Sequence, residues 1–122
     1  MARVEVTSDA REDLRDLDRS ARILILKALK KLETEPEKRG APLGSNQGGK
    51  LTTFRKLVVG DRDYRVIYRV EADGTACVVF VIARRADNEA YELALSRLRL
   101  HGNRPLADQM AATLQEIWSL NR

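Results

Sequence analysis

Four short segments of the chain have the apolar pattern of β-strands. From Arg3 to Thr7, Val4 and Val6 alternate with polar residues, which predicts a short edge or near-edge strand. Thr75 to Ala83 is apolar at nearly every position, so we expect that strand in the middle of a sheet, buried on both faces. Turn dipeptides separate it from the two strands before it, which are predicted over Leu51 to Val59 and Tyr64 to Glu71.

Two helices are predicted between the first and second strands. Ser8 or Asp9 is the expected cap of the first, because with Asp9 as the cap Glu12 can reach back to the cap amide. Ser20 is the expected cap of the second, and Pro36 ends it. The short link between them predicts an antiparallel helical hairpin laid on the sheet. The residues expected to face inward are Leu14, Leu17, Ile25, Leu26, Leu29 and Leu32, while Lys27, Lys30 and Lys31 face solvent.

Two more helices follow the last strand. Asp87 or Asn88 is the expected cap of one, and His101-Gly102 is its expected stop. Pro105 opens the other. The predicted fold class is therefore α+β, with an N-terminal strand and helical hairpin packed on a mainly antiparallel four-stranded sheet, plus C-terminal helices. The apolar positions of these helices are Tyr91, Leu95 and Leu98, then Leu106, Met110, Leu114, Ile117 and Trp118.

The turn before the last strand determines which basic residues share a sheet face. A two-residue turn puts Arg65 on the same face as Arg84. A three-residue turn with a glycine bulge pairs Glu71 with Thr75 and puts Arg65 on the same face as Arg85. We favour the second register, because it collects the bulky residues on one core face: Tyr64, Val66, Tyr68, Val70, Val78, Phe80 and Ile82.

Composition fits one compact domain. The 122 residues are 43% hydrophobic and 33% charged, and 36–49 reads as a loop rich in Pro and Gly. The start of the chain turns acidic and the longest apolar run is too short to cross a membrane, so we expect a cytoplasmic protein. Cys77 is the sole cysteine and is expected to be a buried thiol, while His101 is expected in a turn at a helix C-terminus.

Basic residues are concentrated in one stretch. Phe54 to Arg85 holds seven Lys and Arg against four Asp and Glu, although the net charge is only +4. Such a stretch favours a polyanion or an acidic protein as partner. Nothing matches a Walker loop, a Rossmann glycine pattern, a nucleophile elbow or a metal-ligand spacing, so no cofactor is expected. The residues alone favour solvated strand faces with Tyr91 in the core over a catalytic site.

Three motifs change this interpretation. They are DYRVIYRV, the strand CVVFVI, and RRADNEAY before an amphipathic helix. In order and spacing they resemble the RelE branch of the RelE/ParE toxin superfamily, and the resemblance covers about Val4 to Leu98. The resemblance implies a microbial ribonuclease-like fold and the toxin of a type II toxin-antitoxin pair, which enters the ribosomal A site and cuts mRNA without a metal. The implied partners are a cognate antitoxin, the ribosome and mRNA, with operator DNA reached only through the antitoxin and no membrane.

The same resemblance implies roles for single residues. Arg65 matches the arginine that contacts the scissile phosphate, Arg85 the arginine before the last core helix, and Tyr91 the tyrosine that stacks on or orients the cleaved nucleotide. Arg55 falls at the first position of the family's basic pair, but the second position holds an apolar residue, so Lys56 is the alternative if the strand register slips by one. The residues expected to bind RNA are Arg62, Arg69 and Arg84.

Two other functions stay open. A ParE-like toxin would inhibit DNA gyrase by binding, although that branch does not need the Arg and Tyr set. A degenerate, non-catalytic module would only bind an antitoxin, which the apolar residue in the basic pair keeps open. The expected organisation is a toxin domain over residues 1–100 and a helical extension over 103–122, packed on the same domain or on a partner.

Overall fold

The computed structural model describes residues 2–43, 54–61, 63–71, 76–84 and 87–120. The strands in these ranges are β1 (Arg3–Val6), β2 (Ala41–Pro42), β3 (Phe54–Val59), β4 (Tyr64–Val70) and β5 (Ala76–Ala83). The helices are α1 (Ser8–Asp16), α2 (Arg19–Lys31), α3 (Asp87–Leu100) and α4 (Arg104–Leu120), with a 3-10 turn at Pro36–Lys38. The sheet has the order β1-β5-β4-β3-β2, in which β1 runs parallel to β5 and the other neighbours are antiparallel. The predicted α+β class is confirmed, but the sheet has five strands in the described ranges instead of the predicted four, because β2 forms within the predicted loop and pairs with β3.

Helices cover both faces of this sheet. On one face, Ala10 of α1 and Ile25 of α2 are buried against Tyr68 of β4. On the other, Tyr91 of α3 and Met110 of α4 are buried in a second cluster. Strand β5 supplies residues to both clusters, which confirms its predicted place in the middle of the sheet: Cys77, Val79 and Ile82 on the first face, and Phe80, Val81 and Ala83 on the second.

The helix caps differ from those predicted from the sequence. Thr7 caps α1, its hydroxyl accepting from the amide of Ala10 at 3.2 Å, because Thr7 still pairs with β5 and is held in an extended conformation. Asp18 caps α2 by accepting from the amide of Ala21 at 2.8 Å. The predicted caps at Ser8 or Asp9 and at Ser20 are therefore wrong: Ser8 and Asp9 already lie in the first turn of α1, and Ser20 lies in the first turn of α2.

The helical hairpin matches the prediction more closely. Arg22 of α2 donates to the carbonyl oxygens at the end of α1 and so ties the two helices together. Leu26 is an exception to the predicted apolar stripe, since it is 48% exposed. Helix α2 ends at Lys31, and Pro36 opens the following 3-10 turn rather than ending the helix.

The favoured register of β4 and β5 is wrong next to the turn. Next to the turn, Val70 pairs with Cys77, which is the register of the two-residue turn. The pairing then shifts between Tyr68 and Ile67, and Arg65 pairs with Ala83. The register next to the turn makes Val78 and Phe80 face α3 and α4 instead of the predicted common core face. The shift leaves Phe80 as an extra residue in β5, and it places Ile82 on the predicted core face and Ala83 beside Arg65, as the favoured register predicted.

Three long-range contacts stabilise this bulge. The Phe80 ring packs against Phe54, with ring centroids 5.7 Å apart. The Phe80 carbonyl accepts from Arg97 of α3 at 2.9 Å, and Asp13 of α1 accepts from the amide of Ile82 at 3.0 Å. Arg97 and Asp13 also pair with each other through bonds of 2.7 and 2.8 Å. Asp13 and Arg97 thus form hydrogen bonds with the backbone of β5 just beyond the point where its pairing with β1 ends.

The C-terminal helices follow the predicted boundary. Gly102 has a φ of 71°, and the amide of Asn103 donates to the carbonyl of Leu98 at 2.9 Å, which closes α3 as predicted. Met110 and Leu114 of α4 are buried in the cluster that contains Tyr91. The side chains of 117–118 lie outside the described residues, as do 44–53, where parts of the predicted loop and second strand fall. None of the described helices is long and apolar enough to cross a membrane.

Candidate functional site

A carboxylate joins two cations from neighbouring strands. Lys56 of β3 and Arg65 of β4 lie on one sheet face, because Val58 pairs directly with Arg65 and residues two apart in a strand share a face. Asp87, the first residue of α3, accepts from Lys56 Nζ through Oδ2 and from Arg65 Nε through Oδ1, both at 2.7 Å. Three elements that are distant in sequence therefore meet at one point.

The charges in this cluster stabilise one another. Burial alone would lower the pKa of Lys56, but the hydrogen bond to Asp87 and the attraction of Tyr91 and Asp87 outweigh it and raise the pKa above its ordinary value. For Asp87, burial opposes the charge, yet the hydrogen bonds from Lys56 and Arg65 hold the pKa of the carboxyl below its ordinary value. At neutral pH the lysine is a cation and the aspartate an anion.

Tyr91 lies one helical turn after Asp87 and is buried. Burial raises the pKa of its hydroxyl, and the nearby Lys56 only partly offsets this. The tyrosine is therefore neutral at physiological pH and can donate a hydrogen bond. The structure thus brings together Lys56, Arg65 and Tyr91 of the residues proposed from the sequence.

Arg55 lies on the opposite face of the sheet. It pairs with Tyr68, and its guanidinium donates to the carbonyl oxygens of Arg39 at 2.9 Å and Gly40 at 3.4 Å. The Tyr68 hydroxyl lies 2.8 Å from the carbonyl of Pro36 and 2.6 Å from that of Arg39, and burial raises its pKa to about 12, although Arg55 opposes this. Arg55 thus anchors the segment before β2, and Lys56 takes the place beside Arg65.

The remaining basic candidates are more scattered. Arg69 shares the face of Lys56, since it pairs with Phe54, and its guanidinium lies 3.3 Å from Glu71. Arg84 is exposed just after β5. The other two predicted residues, Arg62 and Arg85, lie outside the described residues.

Asp87 is the member of the cluster that sequence reasoning missed, because it was assigned only as a helix cap. The signal that could have found it is its spacing from Tyr91. Residues four apart lie on the same helix face, so a tyrosine placed at the site brings Asp87 with it.

Two further predictions concern single residues. Cys77 is a buried free thiol, and burial raises its pKa to about 12, so it is protonated at neutral pH. His101 lies in the turn after α3, as expected, and its Nε2 is 2.8 Å from the Asp9 carboxylate. Neither residue contacts the Lys56 and Asp87 pair.

A groove of about 490 Å³ lies between α2 and β3. We call it the α2–β3 groove. Its floor is apolar and its rim is basic, and it lies on the sheet face that α2 covers. The floor is formed by Leu24, Ala28, Leu57 and Val59, and the rim carries Lys27, Lys31, Lys38 and Arg39.

Comparisons with known proteins give one family and several related folds. A family model described as the ParE toxin of the type II toxin-antitoxin system parDE matches residues 4–89. A mutant of the E. coli toxin RelE in the free state has 20% sequence identity and a TM-score of 0.61, covering 80% of this chain and 99% of its own. The RelBE2 toxin-antitoxin complex of Mycobacterium tuberculosis matches with 28% identity and a TM-score of 0.52, covering 70% of this chain and 93% of that chain.

An archaeal RelE-RelB complex from Pyrococcus horikoshii also matches, with 21% identity and a TM-score of 0.56 over 70% of this chain and 97% of that chain. A comparison with curated protein sequences gives no match. The family-model match spans β1, from residue 4, to the first three residues of α3, since it ends at residue 89.

Proposed function

The chain belongs to the RelE/ParE family of type II toxin-antitoxin toxins, and we propose that it is a ribosome-dependent endonuclease that cuts mRNA in the ribosomal A site. The observation that carries the proposal is the convergence of Lys56, Arg65 and Tyr91 at the start of α3. Two cations and a neutral hydroxyl at one point fit a scissile phosphodiester. The fold shared with RelE toxins supports the same assignment.

The proposed reaction is attack of a 2′-hydroxyl on the adjacent phosphorus. The new bond joins the 2′-oxygen to phosphorus while the 2′-hydroxyl gives its proton to a water molecule. The bond from phosphorus to the 5′-oxygen breaks, and that oxygen leaves with a proton from Lys56, which solvent then replaces. Charge builds on the phosphate oxygens as the attack proceeds, and Arg65 and Lys56 stabilise it. Because the pKa of Lys56 is raised, its ammonium donates rather than accepts a proton, which suits protonation of the leaving oxygen.

The other residues complete the proposed site. Tyr91 positions the nucleotide by stacking or hydrogen bonding. Arg85 adds a further cation at the phosphate, as the family resemblance implies. The residues proposed to hold the flanking RNA backbone are Arg62, Arg69 and Arg84. We also propose that residues 1–100 form the toxin domain and 103–122 an extension packed on it.

The test is mapping of the 5′ ends of cellular transcripts after brief induction. Wild type should cut at fixed positions within translated codons, and arrest of translation should prevent the cuts. Arg65→Ala and Lys56→Met should each reduce cutting by about 10²- to 10³-fold, as expected for loss of a group that stabilises transition-state charge. Arg55→Met is the matched comparison, since it removes the neighbouring cation of the same strand.

The comparison of adjacent residues decides the assignment. Folded Arg55→Met should keep cutting, because its guanidinium contacts backbone carbonyls on the other face. Loss of cutting in Arg55→Met with retention in Lys56→Met would reverse the roles. Intact transcripts in growth-arrested wild-type cells would overturn the endonuclease itself.

A second candidate is inhibition of DNA gyrase, which the match to the ParE toxin model favours. This function would need no RNA chemistry, so growth arrest would persist in Arg65→Ala. Gyrase-dependent DNA breaks with intact mRNA would establish it. Normal growth on wild-type expression would instead favour a non-catalytic module that binds an antitoxin.

The implied protein partner is a cognate antitoxin, and we propose the α2–β3 groove as its binding site. An apolar floor with a basic rim is complementary to an amphipathic helix that carries acidic residues on its borders. Helix α4 packs on α3 and does not line this groove. The cytoplasmic location and the contact with the ribosome remain part of the proposal.

Two exposed leucines of α2 give a controlled test. Leu24 lines the groove and is 40% exposed, whereas Leu26 is similarly exposed but does not line it. Leu24→Asp should weaken binding of the purified antitoxin by at least about tenfold, which is 1.4 kcal/mol. Leu26→Asp should bind as wild type does. Equal effects of the two substitutions would place the antitoxin elsewhere.

A further inference from the structure

Lys56 and Arg65 bind the Asp87 carboxylate in the way that two cations bind the non-bridging oxygens of a phosphate. Each carboxylate oxygen accepts from one cation, Oδ2 from Lys56 and Oδ1 from Arg65, and both distances are 2.7 Å. Two non-bridging oxygens of a phosphodiester can accept from the same two donors. The carboxylate and the phosphodiester also carry the same single negative charge. The chain therefore holds its own anion where the proposed substrate would bind.

We propose that Asp87 is a positioning residue whose carboxylate holds Lys56 and Arg65 together in the free protein and is displaced from them by a phosphodiester of single-stranded RNA. The inference rests on the proposed function for the identity of the anion. It adds an intramolecular competitor at the site, which sets how tightly the free protein binds RNA.

The exposure of Asp87 and its place at the start of α3 both favour movement of its carboxylate over movement of the two cations. The Asp87 side chain is 40% exposed, whereas Lys56 and Arg65 are 22% and 17% exposed and are fixed on strands. Asp87 is the first residue of α3, where its side chain can turn toward solvent without loss of a helical hydrogen bond.

Binding of the Asp87 carboxylate and a phosphodiester to the same two cations at once is unfavourable. A phosphate added beside the carboxylate would meet a like charge within a few bond lengths, at a partly buried site where screening is weak. After the exchange each cation again faces one anion, so the charge balance of the site is unchanged. Exchange is therefore favoured over simple addition.

The probe for a binding test is a 2′-O-methyl dinucleotide, which has one phosphodiester and no hydroxyl to attack it. Its affinity is measured by calorimetric or NMR titration of wild type, Asp87→Asn and Glu92→Gln. Asp87→Asn removes the competing charge and should bind about tenfold more tightly, a difference of about 1.4 kcal/mol. Glu92 is an exposed carboxylate on the same helix, and Glu92→Gln makes the same change in net charge away from the cations. It should bind within about twofold of wild type, which is about 0.4 kcal/mol.

A further variant separates exchange from a general effect on the fold. Arg65→Ala in the Asp87→Asn background should abolish the gain in affinity, because the gain depends on the released guanidinium. Thermal unfolding of each variant shows whether it is folded. A folded Asp87→Asn that binds the dinucleotide no more tightly than wild type would overturn the exchange, as would a gain that survives the loss of Arg65.

The outcomes also distinguish this inference from the proposed function. The dinucleotide cannot be cleaved, so its affinity does not depend on catalysis. Tighter binding by Asp87→Asn, with cellular transcripts left intact by the wild type, would support the exchange and remove the endonuclease. Cut transcripts with equal dinucleotide affinities would keep the endonuclease and overturn the exchange.

Discussion

Replacement of Asp13 by alanine should destabilise the fold by about 3 kcal/mol, since removing one partner of a buried ion pair costs about 3–5 kcal/mol. Asp13 accepts two hydrogen bonds from Arg97, at 2.7 and 2.8 Å, and one from the amide of Ile82 at 3.0 Å. The side chains of Asp13 and Arg97 are 15% and 18% exposed, so the pair is largely but not fully buried and the lower end of that range applies. The substitution removes the acceptor of the Ile82 amide and the carboxylate partner of the Arg97 guanidinium, which keeps its hydrogen bond to the Phe80 carbonyl.

Urea unfolding measures this cost, and a neighbouring residue supplies the control. Glu12 precedes Asp13 in the same helix and also forms an ion pair, with Arg15 at 3.0 Å, but the two side chains are 65% and 71% exposed. Glu12→Ala should cost no more than about 0.5 kcal/mol, because exposed pairs are screened by solvent. In thermal unfolding, Asp13→Ala should lower the midpoint by about 10–15 °C, at about 4 °C per kcal/mol for a domain of this size.

A double-mutant cycle with Arg97→Met isolates the interaction between the two side chains. Residues in one hydrogen-bonded network have coupling energies of about 0.5–3 kcal/mol, and we expect a value in the upper half of that range. A coupling below about 0.5 kcal/mol would refute the reasoning, since it lies within the additivity of independent sites. An Asp13→Ala protein no less stable than Glu12→Ala would refute it as well.

Three further predictions concern the core and the cation site. Tyr68→Phe removes the hydroxyl that contacts two backbone carbonyls and should cost about 1–3 kcal/mol in urea unfolding, whereas an unchanged midpoint would show that those carbonyls need no donor. Met110→Ala should cost about 2–5 kcal/mol, because the side chain is fully buried, and a smaller loss would mean that α4 contributes little to the core. The stability that Asp87 contributes is present above its unfolded pKa of about 3.9 and is lost as pH falls through its lowered folded pKa. The stability that Lys56 contributes is present below its unfolded pKa of about 10.4 and is lost as pH rises through its raised folded pKa. The difference in unfolding free energy between wild type and Asp87→Asn should therefore be constant from about pH 5 to about pH 9 and shrink below about pH 4, and a slope between pH 5 and 9 would contradict this.

The order of strands and helices, apart from the two-residue strand β2 in the predicted loop, could be predicted from the sequence because it depends on local periodicity. Apolar runs and turn dipeptides located β4 and β5 within one residue of their observed ends. The register between them could not be predicted, because it depends on the bulge at Phe80. That bulge is stabilised by Phe54 and Arg97, which come from other elements and are invisible in the local pattern.

The candidate site shows the same division between local and long-range information. Motifs drew attention to Arg65 and Tyr91, but the choice between Arg55 and Lys56 stayed open, because a slip of one residue moves every side chain of a strand to the other face. The strand pairing decides it, since Val58 lies opposite Arg65 and brings Lys56 to the same face. Asp87 escaped notice because an aspartate before a helix has an ordinary explanation as a cap.

Adjacent residues of β3 connect the two proposed surfaces while keeping them apart. Lys56 faces Asp87 on the side of the sheet covered by α3, and Leu57 lines the α2–β3 groove on the other side. An antitoxin helix seated only in the groove therefore leaves the Lys56 and Arg65 cations uncovered. The antitoxin can then neutralise the toxin in two ways. Either a second antitoxin segment passes the β2 edge and covers those cations, or the bound antitoxin is large enough to prevent the toxin from entering its target by steric hindrance. In the first case, binding of the antitoxin and neutralisation of the toxin depend on different faces of the sheet, so single substitutions would separate the two properties.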